Sequence, residues 1–391
     1  GRVTDFLDSR CLQTLLEKFF HPDALEGKYD ITADGVYHIP ADVSDLDGVK
    51  KFLDQLPPYE NPELFGLHSN ADITFNRNSS RRQLDAILSV QPRTTGGGGL
   101  TPDQKVFQMA DEFAKRLPGV IDKEAAHEDT YRITDDGTMV SLGTVVGQEI
   151  DVFNSIRRKL QSSLTLLKRA IHGEVVMDAV LEATYNAFLV NKVPESWHAG
   201  SYLSRKPLAS WFEDTVQRID FLRDWNDNGP PMSFWLPGFF FPQGFLTGVL
   251  QTHSRSCNMP IDDIDFRTHI MHMEAADQVE DPPETGVYIH GLFMEGARFN
   301  RDTNAVDESV RGELFTSVPV VWLEPVSRAD VAVKSDRTYV CPLYKTTARA
   351  GALSTTGLST NFVRSLDLNA GSKAPSHWVQ RGVALLCMLD D

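Results

Sequence analysis

Residues 146–171 read VGQEIDVFNSIRRKLQSSLTLLKRAI, and the architecture is organised around this segment. Its apolar residues recur every three or four positions, at Val146, Ile150, Phe153, Ile156, Leu160, Leu164, Leu167 and Ile171. This spacing puts them on one stripe of an α-helix. We therefore predict a long helix over residues 142–171, roughly 45 Å from end to end at the helical rise per residue. Gly173 is predicted as its C-cap.

The segments around this helix show the same spacing. Apolar stripes predict further helices over 5–20, 44–56, around 84–88, over 101–117, and around 176–190 and 208–225. Thr101-Pro102 is typical of an N-cap followed by the first helical residue, and Ser44 is a second predicted N-cap. Residues 121–138 are polar and aperiodic, which indicates a linker or a long loop. The first two-thirds of the chain is therefore predicted to be helical.

From about Asp262 the apolar period changes to two, which predicts strands. The predicted strands are 287–293, 318–323, 338–344, 361–366 and 383–389. The segments between them are short and leave no room for crossover helices. An antiparallel sheet follows, closed into a small β-barrel or sandwich that hides its edges. The fold class is α+β.

The aromatic block of residues 234–241 has no basic residues interleaved with it. A core is therefore favoured over a base-stacking platform for nucleic acid. The predicted core residues are Trp235, Phe239, Phe240 and Phe241. The longer apolar stretch 234–250 is too broken by Pro and Gly to cross a membrane, and it indicates a buried hairpin or a helix start.

Composition limits the function further. The chain has 391 residues, enough for two or three domains, and 54 acidic against 38 basic side chains give a net charge of −16. Such acidity disfavours nucleic acid as a partner. Residues 281–391 carry 13 acidic and 11 basic side chains, so the acidity belongs to the helical part. Four widely spaced cysteines favour reduced thiols over disulfides. The first residue is Gly rather than Met, which suggests a piece of a longer chain.

The motifs of common catalytic sites are absent from the sequence. It has no phosphate-binding P-loop, no G-x-G-x-x-G, no G-x-S-x-G and no H-E-x-x-H. His269 and His272 are the best metal candidates, but on a strand they would face opposite sides. The hydroxyl-rich run 354–360 could bind an anion or be phosphorylated, although a hairpin turn is favoured. We predict no catalytic, cofactor-binding or metal-binding residue.

Several longer motifs resemble the C-terminal region of dynein heavy chains. They occur in the family's order along the whole chain: Gly1-Arg-Val-Thr-Asp5, Phe65-Gly-Leu-His68, Val193-Pro194, Asn228-Gly-Pro-Pro231, Phe234-Trp-Leu-x-Gly-Phe-Phe-Phe-Pro-Gln243, Gly286-Val-Tyr-Ile289, Cys341-Pro342 and Arg381-Gly-Val-Ala-Leu-Leu-Cys387. The run 355–362 and the ending Leu389-Asp-Asp391 look more like axonemal, inner-arm heavy chains than the cytoplasmic motor.

The resemblance implies three parts. Residues 1–120 would be the later helices of the small (lid) subdomain of the sixth AAA+ module. Residues 121–260 would be the helical part of the dynein C-terminal domain, and 261–391 its antiparallel β-barrel cap. The long helix would be a strut across the AAA+ ring. The resemblance makes its basic residues candidate ring contacts, namely Arg157, Arg158, Lys159, Lys168 and Arg169; a solvated helix face is the alternative.

The resemblance also implies a function without chemistry in this segment. In the family, ATP and Mg²⁺ bind in earlier AAA+ modules, and a distant stalk grips the microtubule. This segment would brace the ring of a minus-end-directed ciliary motor and tune its force or processivity. Its partners would be the other AAA+ modules and, as further candidates, dynein intermediate, light-intermediate or light chains, but not nucleic acid or membrane. The expected location is the cytoplasm, the cytoskeleton and the axoneme of the cilium or flagellum.

Two alternatives remain open at this point. The near-neutral barrel surface could dock an accessory subunit or regulator, since it is less charged than the helices. An independent hydrolase has only the hydroxyl-rich run in its favour. If earlier lid helices precede residue 1, then Phe6, Leu12 and Phe19 lack packing partners here, and we expect them to be exposed or to drive self-association.

Overall fold

The computed structural model describes residues 3, 5–25, 29–32, 35–40, 45–59, 61–90, 100–134, 137–331, 334–349, 351–355 and 357–391. Its α-helices are α1 (Phe6–Phe19), α2 (Leu46–Gln55), α3 (Asn70–Val90), α4 (Pro102–Arg116), α5 (Ser141–Ile171), α6 (Ala179–Leu189), α7 (Glu195–His198), α8 (Leu208–Asn228), α9 (Pro242–Cys257), α10 (Arg328–Val331) and α11 (Pro375–Gln380). No described helix is both long and apolar enough to cross a membrane.

Local signals set the helix ends much as the sequence predicts. Thr101 accepts the N–H of Gln104, whose side chain accepts the N–H of Thr101, so a capping box starts α4. The C-cap of α5 is His172, and Gly173 follows it in the left-handed conformation. Asp45 caps α2, while the predicted cap Ser44 lies outside the described residues. The long helix, predicted over 142–171, is confirmed over Ser141–Ile171.

The strands are β1 (Tyr29–Asp30), β2 (His38–Ile39), β3 (Ser233–Trp235), β4 (Ile264–Ile270), β5 (Val287–His290), β6 (Phe293–Glu295), β7 (Arg298–Asn300), β8 (Ala305–Asp307), β9 (Phe315–Ser317), β10 (Val321–Ser327), β11 (Thr338–Tyr344), β12 (Phe362–Asn369) and β13 (Ala384–Leu386). Two main sheets form, in the orders β3-β5-β10-β4 and β12-β11-β13-β6-β9. The pairs β1–β2 and β7–β8 are separate. The predicted strand 287–293 is two strands, divided at Gly291, which has φ +87°.

The predicted antiparallel β-barrel is wrong in two respects. Both main sheets are mixed, because β3 pairs parallel with β5 and β11 pairs parallel with β13. The crossovers that parallel pairing requires do exist. The chain between β3 and β5 includes α9, and the chain between β11 and β13 includes α11. In addition, the strand order within the described residues shows two open sheets rather than a closed barrel.

Side chains link the two sheets where a closed barrel would have a hydrogen-bond ladder. The edge strands β12 and β4 approach each other, and Arg364 donates to Asp265 at 2.9 Å. The Arg364 guanidinium also lies 4.6 Å from the ring centre of Phe266. Gln243 on α9 donates to the carbonyl of Phe362 at 2.8 Å. These contacts use polar groups at the sheet edges without extending either sheet.

One continuous core joins the helices to the sheets. It includes the whole apolar stripe of α5 except for the half-buried Ile171, together with residues from α4, α8, α9 and both main sheets. Aromatic rings fill its centre, and those of Phe113 and Phe212 stack with centroids 4.1 Å apart. The polar segment 121–134 is a long loop rather than a free linker, because Thr130 is buried and donates to the carbonyl of Trp225. The apolar stripe of the long helix α5 is thus part of the core that joins the helices to the sheets.

The first helices pack less completely. Phe6 and Leu12 are exposed, as expected for this stripe, with 54% and 43% of their surfaces accessible. Phe19 is half-buried, with its ring centroid 6.0 Å from that of Phe65. Helix α1 nevertheless contacts α11 near the end of the described chain. The first helices are therefore held mainly through their contacts with the sheet region.

Candidate functional site

A buried carboxylate in the first third of α5 binds the backbone of the aromatic block. Glu149 is 5% exposed and accepts the backbone N–H groups of Phe240 at 2.6 Å and Phe241 at 2.9 Å. Burial raises the pKa of Glu149, and the two N–H donors and the nearby charges of Arg218 and Lys345 oppose the shift. The residue satisfies two backbone donors that the turn into α9 would otherwise leave unpaired.

The four predicted core aromatics do not share one environment. Phe239 is buried, while Trp235 and Phe240 are half-buried. Phe241 is 54% exposed, so its prediction as a core residue is wrong. The reason is local: Phe241 is the N-cap of α9, and its backbone is held by Glu149 while its ring lies outside. The nearest cation to that ring is Lys345, 5.7 Å from its centre.

A buried ion pair lies on α8 beside this junction. Arg218 is 1% exposed and donates to Asp214 at 2.7 Å and to the carbonyl of Phe239 at 3.3 Å. Its guanidinium lies 4.0 Å from the ring centre of Tyr202. Lys206 gives Asp214 a second cation at 3.4 Å. Paired and hydrogen-bonded charges of this kind fix the relative position of the elements that carry them.

Burial shifts the pKa of two ionisable groups in the same region, Cys387 and Lys345. Burial raises the pKa of the Cys387 thiol to about 12, so this thiol stays protonated and unreactive at neutral pH. Burial lowers the pKa of Lys345, and the charge of Glu149 opposes that shift. A cavity of about 20 Å³ lies among Arg218, Lys345 and Cys387. Such a volume suits a single water molecule rather than a substrate.

A second junction fastens the first helices to the sheet region. Asn70, the first residue of α3, is 6% exposed. Its amide donates to the carbonyls of Val310 at 3.0 Å and Glu313 at 2.9 Å. Its carbonyl oxygen accepts the N–H of Gly312 at 2.8 Å. One side chain therefore closes a loop that lies more than 200 positions further along the chain.

Charged side chains widen this second junction. Arg381 donates to the carbonyls of Gly66 and Leu67, at 3.2 and 2.9 Å, and pairs with Glu308. His377 lies 2.6 Å from Glu308. Burial acts to raise the pKa of Glu308, but bonds to His377 and the charge of Arg381 outweigh it, and the pKa is lowered. The pair Glu308–Arg381 is thus stabilised in its charged form at neutral pH.

Helix α1 adds a third contact of the same kind. Arg10 donates to the carbonyl of Val340 on β11 at 2.7 Å, and Gln380 donates to the carbonyl of Thr14 at 3.4 Å. Gly66 has φ +88°, and a side chain there would lie 2.9 Å from Cβ of Gln380. We call the contacts of Asn70, Arg381, Arg10 and Gln380 the lid–sheet junction.

The five candidate ring contacts on α5 are exposed or half-buried. Four of them have partners within this chain. Arg157 donates to the carbonyl of Pro118 at 2.8 Å and Lys159 to that of Ala199 at 2.6 Å. Lys168 pairs with Asp111 at 3.0 Å and Arg169 with Glu174 at 3.1 Å. Arg158 is exposed and has no such partner among the described residues. Their contact with a ring stays a prediction.

The metal candidates do not come together. His269 stacks on Trp322, with centroids 4.7 Å apart, and its Nε2 lies 2.8 Å from Glu324. His272 lies beyond the end of β4 and is exposed. In the described part of the chain, no group of three or more His, Cys, Asp or Glu side chains is placed to hold a metal ion.

Two other arrangements bear on chemistry. Ser233 and His290 form a hydrogen bond of 2.9 Å between neighbouring strands. Ser233 is 6% exposed, and burial lowers the pKa of His290 to about 4, so the pair joins β3 to β5 away from solvent. The hydroxyl-rich run forms a hairpin turn in its described residues, with the N–H of Ser354 bonded to the carbonyl of Leu358.

Sequence reasoning missed Glu149, Arg218 and Asn70. For the first two a signal was present. Glu149 lies three positions after Val146 and four before Phe153, so it falls within the apolar stripe of α5. A charge in a buried stripe indicates a buried partner. Asn70 gave no such signal, because its partners are distant in sequence.

Comparison with known proteins shows the family of this chain. The family model for the AAA lid domain of dynein heavy chains matches residues 1–71, and the model for the C-terminal domain of dynein heavy chains matches residues 77–387. The protein therefore belongs to the dynein heavy chain family, as an AAA lid followed by the C-terminal domain.

The relatives are axonemal heavy chains. Dynein axonemal heavy chain 6 of Homo sapiens is 39% identical over 100% of this chain and 10% of its own length. Dynein axonemal heavy chain 1 of Mus musculus is 39% identical over 100% of this chain and 9% of its own length. For dynein axonemal heavy chain 3 of Homo sapiens the values are 41%, 100% and 9%. The chain thus spans about a tenth of the length of the curated relatives it matches.

Proposed function

We propose that this segment is a non-catalytic brace of an axonemal dynein heavy chain, which holds the AAA+ ring at its sixth module and tunes the force or processivity of the motor. The observation that carries the proposal is the lid–sheet junction. It joins the lid helices to the C-terminal sheets through buried or half-buried side chains. A displacement of the lid would therefore be passed to the sheets.

The long helix supports the same reading. Helix α5 has 31 residues and is fastened along its length by Glu149, Arg157, Lys159 and Lys168. A helix attached at so many points resists bending, which is what a strut requires. The nucleotide chemistry would belong to the other AAA+ modules, where ATP and Mg²⁺ bind, and track binding to the stalk.

Location and partners follow from the axonemal relatives. We place the parent protein in the axoneme of the cilium or flagellum, as part of the cytoskeleton, with its other AAA+ modules as direct partners. Intermediate, light-intermediate or light chains are further candidate partners. The net charge of −16 disfavours direct contact of this segment with the acidic microtubule surface.

The test compares motors that carry this segment within the full heavy chain. Arg381→Ala with Asn70→Ala loosens the lid–sheet junction, while Asn76→Ala changes an exposed residue of the same helix. We expect the double variant to lower stall force or run length in single-motor assays, with nucleotide affinity unchanged. Stall force and run length equal to those of the control would refute the brace. Micromolar ATP binding by the segment alone would refute its non-catalytic character.

A second candidate function is docking of an accessory subunit or regulator on the sheet region. The observation that favours it is the exposure of apolar side chains there, with Val310 and Leu353 51% and 58% accessible. Replacing both by Ser in the full heavy chain should weaken copurification of one defined dynein subunit. Unchanged copurification of the intermediate, light-intermediate and light chains would remove this candidate.

A further inference from the structure

A cleft of about 850 Å³ lies where α3, the segment 190–207 and the end of the described chain meet. It is separate from the lid–sheet junction and from the Glu149 site. Arg81 and Arg82 line one wall, and Lys192, Arg205 and Lys206 line the other. The carboxylates of Glu195 and Asp390 are the acidic groups among the lining residues. Cations therefore outnumber carboxylates in the cleft.

Ion pairs within the chain neutralise only some of the cations of the cleft. Arg205 lies 3.5 Å from Asp390, and Lys206 lies 3.4 Å from Asp214 outside the cleft. Arg81 donates to the main-chain carbonyl of Asp390 at 3.4 Å, and Arg82 to that of Asn78 at 3.3 Å, so neither bond neutralises a guanidinium. Both arginines are exposed. They can each offer a planar pair of donors to an incoming anionic group.

The concentration of positive charge is unusual for this protein. The chain as a whole carries a net charge of −16, whereas this concave site is basic and concentrates attraction for anions at one place. The lining also includes apolar groups, from Val190, Val193 and Pro207. The lining residues include no Phe, Tyr, Trp or Gly, and His198 supplies the one aromatic ring among them, so the cleft has no broad stacking surface for bases and no glycine-rich phosphate loop.

We propose that this cleft binds an acidic peptide segment of a partner protein, one that alternates carboxylates with aliphatic residues. The carboxylates would pair with Arg81 and Arg82, and the aliphatic residues would contact Val190 and Val193. The combination of exposed cations with apolar contacts fits such a peptide better than a free polyphosphate, which would leave the apolar lining unused. The site would recruit its partner where the lid meets the helical part.

The experiment measures binding of a short fluorescent peptide of glutamates with interspersed leucines to the full 391-residue chain, by anisotropy. The test variant is Arg81→Glu with Arg82→Glu. The matched control is Lys50→Glu with Lys51→Glu, which reverses two adjacent exposed cations on α2. We expect the test variant to weaken binding by about tenfold or more, and the control to leave it within about twofold.

Further arms separate the possible ligands. Binding should weaken as salt increases, and a peptide of lysines with the same leucines should not bind. A glutamate peptide without leucines should bind more weakly than the mixed one. The proposal fails if both charge-reversed variants bind equally well. It also fails if tripolyphosphate binds at Arg81 and Arg82 while the mixed peptide does not.

Discussion

The carboxylate of Glu149 accepts the backbone N–H of Phe240 at 2.6 Å, although the two residues are 91 positions apart in the sequence. The same carboxylate accepts the N–H of Phe241. This contact lies between the first third of α5 and the turn that starts α9, and the carboxylate is almost fully buried. The position of the long helix therefore depends on one acceptor group as well as on its apolar stripe.

Substitution of Glu149 should destabilise the fold. Glu149→Ala leaves two buried N–H groups without an acceptor, and we expect a loss of about 2–4 kcal/mol in the free energy of unfolding. Glu149→Gln keeps one acceptor oxygen and should lose less. Urea denaturation measures both, with Glu17→Gln as an exposed control. A loss for Glu149→Ala no larger than that of the control would contradict the assigned role.

The ion pair of Arg218 and Asp214 should show strong coupling. Arg218→Met leaves Asp214 buried with only Lys206 as a cation, and we expect a loss of about 3–5 kcal/mol. Asp214→Leu alone should also destabilise, because it leaves Arg218 uncompensated. The double variant should lose less than the two single losses added together. Additive losses in this double-mutant cycle would show that the two side chains do not act as a pair.

Acid should weaken the fold through His290. Burial lowers the pKa of His290 to about 4 from its ordinary value of 6.5. In the unfolded protein His290 gains a proton as the pH falls below 6.5, whereas in the folded protein it does so only near 4. Its contribution is therefore complete above pH 6.5 and is lost as the pH falls towards 4, on the order of 3 kcal/mol in total.

Paired measurements isolate this contribution. Unfolding free energies of the wild type and His290→Asn are compared at neutral pH and near pH 5, since Asn retains a polar group for Ser233. The wild type should lose more stability on acidification than His290→Asn does. His272→Asn removes an exposed histidine and should follow the wild type. Parallel pH profiles for the wild type and His290→Asn would exclude this origin.

Gly286 should tolerate no side chain. Gly286 has φ +76°. A Cβ there would lie 2.0 Å from the backbone carbonyl oxygen of Leu323, a residue of β10. Gly173 has nearly the same φ, +75°, and open space around it. Gly173→Ala should cost about 1 kcal/mol, and Gly286→Ala should cost several times more. Equal thermal unfolding of the two variants would show that the close approach is not limiting.

Loss of Asn70 should free the lid helices before the rest of the protein unfolds. Asn70→Ala removes the donors and the acceptor that hold residues 310–313, while Asn76→Ala removes an exposed amide from the same helix. Amide hydrogen exchange should rise about tenfold or more in α1 and α3 of Asn70→Ala, with α5 unchanged. Equal amide exchange rates of α1 and α3 in the two variants would show that Asn70 does not hold the lid helices in place.

Local sequence patterns predict most of the helices correctly. They do not predict how the strands pair in the sheets. The stripe of α5 and the capping residues of α4 act within a few positions, so periodicity reveals them. The parallel pairing of β3 with β5 depends on a short strand that lies upstream of α9, in a segment where strand and helix signals overlap. That pairing is one reason why the predicted antiparallel sheet is wrong. The barrel is wrong because the two main sheets stay open within the described residues, with side chains rather than a hydrogen-bond ladder between β12 and β4. Domain boundaries at 120 and 260 stay predictions.

Some residues of the candidate sites can be found from local sequence patterns, and others cannot. Glu149 and Arg218 interrupt apolar patterns, so the sequence already raises the question of what neutralises them. Phe241 matches its aromatic neighbours in type but caps a helix, and the cap turns its ring outward. Asn70 and the basic cleft depend on residues far apart in sequence, which only the fold brings together.

The lid–sheet junction also constrains the order of folding. Its bonds join residues 242, 330 and 366 positions apart, from Gly312 to Asn70, from Arg10 to Val340 and from Gln380 to Thr14. Contacts of such high sequence separation form late, because the residues between them must first be ordered. During synthesis the lid helices of this segment emerge before the residues with which they form these bonds. The earliest part of the segment to be made is thus the last to reach its final structure.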